Sequence, residues 1–175
     1  VLGVHADGGM QEQISVPINL LLPANHLSDD QIAIVEPLAI GAHAIRRSGI
    51  ETDENVAVVG CGPIGIGIIK LAQIAGANVI ALDMNEQRLN YAKDKIGADH
   101  VVNVGGNALR EVTEITNGDL CSIVFDASGN KNALETCPDY MSNGGKFVLV
   151  GLSKGELTYS HPKVHAKEMT LLCSR

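Results

Sequence analysis

Short apolar runs with high β propensity alternate with helical segments from Val56 onward in this 175-residue chain. Such alternation is typical of βαβ units and a parallel sheet. The runs VAVV, VIAL and FVLV contain no polar residue, as expected of strands that helices cover on both faces. The sequence therefore predicts an α/β fold with a doubly wound parallel sheet of six strands and helices on both faces.

The same pattern places the individual elements. We predict strands at 56–59, 79–82, 100–103, 122–126, 146–151 and 169–174, and helices at 64–75, 86–96, 108–116 and 131–141. Gly76 and Gly97 follow the first two helices, where left-handed C-caps are expected. Upstream, DGGMQEQISVP predicts a turn that leads into a strand. Ser28 is the predicted N-cap of a long apolar helix that is interrupted near Pro37.

A G-x-G-x-x-G motif lies between the first strand and the first helix of the alternating region. Gly60 is expected to permit a tight turn, Gly62 to let a pyrophosphate approach bare backbone, and Gly65 to let the helix lie close to the strand. Pro63 and Ile64 lie where the turn meets the helix, whose N-terminus would present free N–H groups to the phosphates. The motif in this context predicts a Rossmann-type dinucleotide site.

Asp83 strengthens this prediction, because it ends the second strand 18 positions beyond Gly65 (83 − 65). An acid at this position binds the ribose hydroxyls of NAD and disfavours the 2′-phosphate of NADP. Arg88, one helical turn onward, could instead accept that phosphate, so NADP stays an alternative. In a second interpretation the glycines only shape a turn and Asp83 only caps the next helix.

Charge and composition exclude other classes of partner. The net charge of −7 and the scattered cations disfavour nucleic acid. The apolar runs are too short to span a bilayer and no charged-then-apolar leader opens the chain, which favours a cytoplasmic protein without membrane segments. The four cysteines show no C-x-x-C spacing and are expected to be reduced, mostly in the core. Because the chain starts at Val1 and stops at Arg175 straight after an apolar run, we expect it to be part of a longer protein.

Several segments resemble one known family. DGGMQEQISVP, EPLAIGAHAIRR, VVGCGPIGIGIIKLAQIAGA, DMNEQRLNYAKDKIGAD, FDASG and GGKFVLVGL are similar to the zinc-type medium-chain dehydrogenases, in the branch of sorbitol, threonine and L-galactonate dehydrogenases. The resemblance implies hydride transfer from a secondary alcohol of a polyol or sugar acid to NAD, with zinc as a second cofactor. It also implies that 1–27 ends a GroES-like catalytic domain, that 28–50 is a connecting helix and that 51–175 binds NAD.

The resemblance further implies roles for single residues. Glu36 would lie at the catalytic zinc, directly or through water, although a solvent-facing helix acid is the alternative. Arg88 would lie along the adenosine. The turns that pass the coenzyme and orient the nicotinamide would be formed by Ala127, Ser128, Gly129, Val150, Gly151 and Leu152.

Other features expected of the family are absent from the sequence. The cysteines and histidines of its zinc sites are missing, and His5, His26 and His43 fit no zinc pattern. We therefore expect binding of NADH without turnover. The rival classes are a non-catalytic nucleotide-sensing Rossmann module and, less consistent with the pattern, a methyltransferase. The resemblance also implies a homo-oligomer, in which a late edge strand, GELTYS or its neighbour, pairs across a twofold axis, and exposed strand edges favour such pairing.

Overall fold

The computed structural model describes residues 2–3 and 5–175, and the chain divides into two compact units, Val1–Ala33 and Ile34–Arg175. The described part of the first unit holds a short 3₁₀ helix, Ile18–Leu20, and helix α1, Asp29–Ala33. None of its described residues is buried. The described residues of this unit therefore form no hydrophobic core.

The strand predicted within DGGMQEQISVP is wrong. Residues 7–17 contain no strand, and Met10 in that segment is fully exposed. A strand needs hydrogen-bonded neighbours, and the described residues of this unit offer only an isolated bridge between Leu2 and Ala6. The predicted cap at Ser28 is confirmed, because its Oγ accepts a hydrogen bond from Gln31 N at 3.3 Å.

The predicted interruption of the long helix is also confirmed, one turn before Pro37. Helix α1 ends at Ala33, and helix α2 spans Val35–Ser48. Proline lacks an N–H, and its ring excludes the carbonyl group four residues earlier, so the first helix cannot continue past Ala33.

The second unit continues as alternating strands and helices after α2. Its strands are β1 Asn55–Val59, β2 Asn78–Asp83, β3 His100–Asn103, β4 Cys121–Asp126, β5 Met141–Leu149 and β6 Thr170–Cys173. Its helices after α2 are α3 Pro63–Ile74, α4 Glu86–Tyr91 with a π-helical continuation Ala92–Ile96, α5 Ala108–Ile115, α6 Lys131–Thr136 with a 3₁₀ turn Cys137–Tyr140, and α7 His161–Ala166. No helix in the described part of the chain is long and apolar enough to cross a bilayer.

The six strands form one parallel sheet in the order β3-β2-β1-β4-β5-β6. This order reverses direction beside β1, as in doubly wound dinucleotide-binding folds. The predicted Rossmann-type fold with six parallel strands is therefore confirmed. Gly76 and Gly97 have φ values of +88° and +83°, which confirms the two left-handed helix ends.

Alternate residues of β1 pack into two separate cores. Val56 and Val58 contact the core that includes residues of α2, α3 and α4, whereas Ala57 and Val59 contact the core that includes residues of α5 and α6. Side chains of a strand point alternately to the two faces, so helices cover both faces of the sheet, as predicted.

The predicted boundaries differ from the structure around β5. The helix expected to reach Met141 ends at Thr136, because Pro138 cannot continue it. Strand β5 then starts at Met141, five residues earlier than predicted, and its pairing with β4 is irregular between Cys121 and Ile123. His161 and His165 lie in the short helix α7, where their imidazole rings are 5.7 Å apart.

Candidate functional site

The Gly-rich turn joins β1 to α3, and two of its three glycines are required by the chain itself. Gly60 has a φ of +100°, and a Cβ there would lie 2.8 Å from the amide nitrogen of Ser128. A Cβ on Gly65 would overlap the carbonyl oxygen of Gly60. Any side chain at Gly60 or Gly65 would therefore collide with backbone that the fold needs in place.

Gly62 differs from them because its surroundings are open. Its backbone is extended, and a Cβ there would have no described atom within 4 Å. It is the N-cap of α3, whose first helical bond runs from Ile66 N to Gly62 O at 2.9 Å. Pro63 needs no acceptor, and no side chain caps the N–H groups of Ile64 and Gly65. The turn thus offers free backbone donors on an open side, where an anion can bind.

Asp83 lies next to this turn at the end of β2, with 7% of its surface exposed. Its Oδ2 accepts a hydrogen bond from Cys61 N at 2.7 Å, and its Oδ1 accepts one from Asn85 N at 2.9 Å. The N-cap of α4 is Asn85, whose side chain accepts from Arg88 N. Helix capping therefore does not account for Asp83, whose carboxylate bonds to the Gly-rich turn.

Arg88 brings a positive charge to the same strand end. Its Nη1 lies 3.9 Å from Asp83 Oδ2, and its side chain is 57% exposed. An exposed ion pair at this distance contributes little to stability. The guanidinium group is thus free to bind a ligand beside Asp83.

Two turns at the ends of β4 and β5 pack against each other. The N–H groups of Val150 and Gly151 donate to the Asp126 carbonyl oxygen at 3.0 and 2.8 Å. A Cβ on Gly129, whose φ is +62°, would lie 2.9 Å from the carbonyl oxygen of Leu152. The residues predicted after β4 and those predicted after β5 therefore form one close-packed unit.

This unit also reaches the Gly-rich turn. Ala127 N donates to Val59 O at 2.8 Å, and Ser128 lies against Gly60. A cavity of about 600 Å³ is lined in part by Val150, Gly151 and Leu152 of this unit. The structure thus brings the predicted cofactor residues of β1, β4 and β5 together along one edge of the sheet.

Asp126 has no role in the sequence-based prediction, although it ends β4 as Asp83 ends β2. Its side chain is 0% exposed. Oδ1 accepts from Ser128 N and Oγ at 3.3 and 2.5 Å, and Oδ2 accepts from Gly129 N at 3.1 Å. Burial raises the pKa of Asp126, and the bonds from Ser128 and Gly129 oppose part of that increase. Its position at the end of the apolar run SIVFD is the sequence signal from which Asp126 could have been identified.

Glu36 is placed differently from the cofactor residues. It lies in the first turn of α2 with an exposed side chain, and it makes no hydrogen bond or ion pair with the described residues. No three described His, Cys, Asp or Glu side chains are grouped so that they could hold a metal ion. The described residues therefore do not fit a zinc site.

The four cysteines are free, and three of them are buried, as predicted. Burial raises the pKa of Cys61 and Cys121 to about 12 and that of Cys137 well above its ordinary value. Cys173 is exposed. The buried thiols are protonated at neutral pH and are poor nucleophiles.

Comparisons with known proteins identify relatives that cover most or all of the chain. It is 38% identical over 175 residues to the L-galactonate-5-dehydrogenase of Escherichia coli K12, a match that covers 100% of this chain and 52% of that protein. It is 32% identical over 154 residues to the sorbitol dehydrogenase of Bacillus subtilis, covering 86% and 43% respectively. A crystal structure described as a short chain alcohol dehydrogenase of Escherichia coli CFT073, complexed with NADH, superposes with a TM-score of 0.90 at 29% identity, covering 100% and 52%.

The strand order and the Gly-rich turn define a Rossmann-type nucleotide-binding domain. The family model described as zinc-binding dehydrogenase matches residues 63–175, and the chain belongs to this family. It spans about half the length of the curated relatives it matches. Both of the curated relatives named above are dehydrogenases.

Proposed function

We propose that this chain is the NAD-binding part of a zinc-type dehydrogenase that transfers a hydride from a secondary alcohol of a polyol or sugar acid to NAD. The observation that carries the proposal is a turn left open at Gly62 next to a buried Asp83 carboxylate that bonds to the same turn. Bare backbone beside free helix N–H groups suits a pyrophosphate, and an acid at the next strand end suits a ribose. The NADH in the related crystal structure supports this choice of cofactor.

The adenosine and phosphate half of the site is formed by β1, α3 and β2. In the proposal, the N–H groups of Ile64 and Gly65 bind the pyrophosphate over the open side of Gly62. Asp83 accepts hydrogen bonds from the ribose hydroxyls, and Arg88 lies along the adenosine. Gly60 and Pro63 shape the turn that supports these contacts.

The choice of NAD over NADP rests on the burial of Asp83. A carboxylate that is 7% exposed repels a 2′-phosphate more strongly than a solvated one would. Arg88 is the group that would receive this phosphate in the alternative. We propose NAD because Asp83 is fixed by two backbone hydrogen bonds, whereas Arg88 is exposed.

The second half of the site is formed at the ends of β4 and β5. A dinucleotide crosses the sheet where the strand order reverses, so the nicotinamide half would lie on the β4 side of β1. In the proposal, the backbone groups that orient the nicotinamide belong to Ala127, Ser128, Gly129, Val150, Gly151 and Leu152.

No three described His, Cys, Asp or Glu side chains are grouped so that they could hold the zinc implied by the family. The chemistry proposed for this chain is therefore the binding and orientation of the cofactor. Glu36 as a zinc ligand stays a prediction for the whole protein, with the other ligands and the substrate pocket outside this chain. The division into 1–27, 28–50 and 51–175 also stays a proposal, as does the cytoplasmic location.

Calorimetry with NADH tests the proposal directly. The 175-residue chain should bind NADH saturably and bind NADPH at least about tenfold more weakly, because of the charge at Asp83. It should not oxidise sorbitol or L-galactonate. Absence of NADH binding would overturn the proposed function, and turnover by this chain alone would contradict the incomplete catalytic site.

We further propose that β6 pairs with β6 of a second copy. It lies at the edge of the sheet, and its Leu171 is 48% exposed. The other predicted segment, GELTYS at 155–160, forms no strand. Exposed edges favour pairing across a twofold axis. Light scattering should give a dimer mass that Leu171→Lys reduces, and a wild-type monomer would contradict the pairing.

A further inference from the structure

Asp126 is the most buried acid in the described part of the chain, and the proposed contacts to the cofactor do not use it. Its carboxylate is 0% exposed and accepts three hydrogen bonds, two from Ser128 and one from Gly129. A buried carboxylate is costly unless its oxygens are satisfied. All three donors belong to the turn after β4, so the carboxylate fixes the conformation of that turn.

The same residue also connects this turn to the end of β5. The Asp126 carbonyl oxygen accepts from the N–H groups of both Val150 and Gly151. A Cβ on Gly151 would lie 2.5 Å from Asp126 Oδ2 and would overlap the amide nitrogen of Gly129. Only a hydrogen atom at Gly151 leaves room for the carboxylate between the two turns.

Its surroundings contrast with those of Asp83 at the other end of the site. Asp83 lies beside the Gly-rich turn, which is open at Gly62, and keeps 7% of its surface exposed. Asp126 is enclosed, because the turns of β4 and β5 occupy the space on both sides of its carboxylate. A ligand at this strand end would therefore meet the two turns and not Asp126 itself.

We propose that Asp126 is a positioning residue for the half of the site that holds the nicotinamide riboside, an inference that rests on the proposed function. It acts through Ser128, Gly129 and Gly151, whose backbone it holds in place. The half of the site that holds adenosine and the phosphates lies on the other side of β1 and has its own carboxylate. Loss of Asp126 should therefore affect one half of the dinucleotide and leave the other half bound.

Asp126→Asn tests this with little change in volume. An amide has one oxygen and one NH₂ group, so it presents a donor where a second acceptor is needed. Either Gly129 N or Ser128 N would then face a donor, and the turn would open. The matched control is Asp119→Asn, because Asp119 is exposed and precedes the other end of β4.

The measurement compares NADH with ADP, which carries adenosine and two phosphates but no nicotinamide riboside. Asp126→Asn should lower the affinity for NADH about tenfold, roughly the loss of one hydrogen bond to a charged group, and leave that for ADP within about twofold. Asp119→Asn should change neither affinity. Thermal unfolding of each variant verifies that it is folded.

Ser128→Ala is the milder second variant, because it removes only the 2.5 Å hydroxyl bond to Asp126 and the bond from Asn130 N. Ser128→Ala should lower NADH affinity by a smaller factor and leave ADP affinity unchanged. This variant still tests the proposal if Asp126→Asn fails to fold. An equal loss of affinity for both ligands, or an unchanged affinity for NADH, would overturn the positioning role. A wild-type chain that binds neither ligand would instead refute the proposed function.

Discussion

At the β2 end of the candidate site a ligand would meet backbone donors beside an acid that keeps 7% of its surface exposed, whereas at the β4 end it would meet turns held by an acid with none of its surface exposed. Asp83 bonds to Cys61 N beside a turn that is open at Gly62. Asp126 is fully buried under its own turn. Two acids at corresponding strand ends thus serve different purposes. In the proposal, Asp83 presents a charge to the ligand, and Asp126 fixes the chain around it.

The largest expected effect is on stability, and it distinguishes glycines that the fold requires from Gly62, which the proposal assigns to ligand binding. Gly65→Ala should lower the free energy of unfolding by about 3 kcal/mol or more, because its Cβ overlaps the Gly60 carbonyl oxygen. Gly62→Ala should cost less than about 1 kcal/mol, since nothing surrounds that position, yet should weaken NADH binding. Urea unfolding and calorimetry measure the two effects. Equal destabilisation by both variants would contradict this distinction.

The next effect concerns the charge at the β2 end. Asp83→Asn should lower NADH affinity about 10- to 100-fold, the range for losing hydrogen bonds to a charged group. The affinity for NADPH should fall less than that for NADH, or rise, because Arg88 remains and the repulsion of the 2′-phosphate is gone. The control is Asp94→Asn, at an exposed acid away from the Gly-rich turn. A parallel loss for both cofactors would show that Asp83 does not discriminate between them.

A smaller effect should appear in the pH dependence of stability at the β4 end. Burial raises the pKa of Asp126 above its ordinary value of 3.8, so the folded chain binds this proton more tightly than the unfolded chain. The resulting stabilisation is complete below pH 3.8 and is lost as the pH rises through the raised pKa.

Asp126→Asn lacks this titration, which allows the effect to be isolated. The unfolding free energy of the wild type minus that of Asp126→Asn should be most favourable to the wild type in acid and should fall toward neutral pH. Urea unfolding between about pH 4 and 7 measures this difference, because a raised pKa of Asp126 places its titration above the ordinary value. A difference that grows with pH would mean that hydrogen bonds to the carboxylate outweigh its burial.

The smallest effect is on thiol reactivity. Each end of the site has a buried thiol near its acid: Cys61 interacts electrostatically with Asp83 and Cys137 with Asp126. With pKa values raised by burial, neither should react with a thiol reagent in the folded chain at pH 8. Only Cys173 should react, and Cys173→Ser should abolish the signal. Rapid labelling of Cys61 would show that the Gly-rich turn opens.

Nearly the whole sheet and the β2 end of the candidate site could be predicted from the sequence, because these features are local. Each strand is a continuous apolar run, and the glycines and Asp83 belong to one strand-turn-helix-strand segment. The end of α6 and the start of β5 were misplaced, because the segment SNGG interrupts the apolar pattern while β5 pairs irregularly with β4. The strand expected in DGGMQEQISVP does not form, since a strand depends on partners that its own sequence does not supply.

The sequence alone determined the order of the elements, the turn that needs glycine and the acid that ends β2, because neighbours along the chain set backbone conformation and apolar periodicity. Only the tertiary structure decided which acid is enclosed. The burial of Asp126 arises when β5 pairs with β4 and brings Gly151 against Gly129, a contact between residues far apart in the chain. Such a contact depends on packing in three dimensions, and no local pattern encodes it.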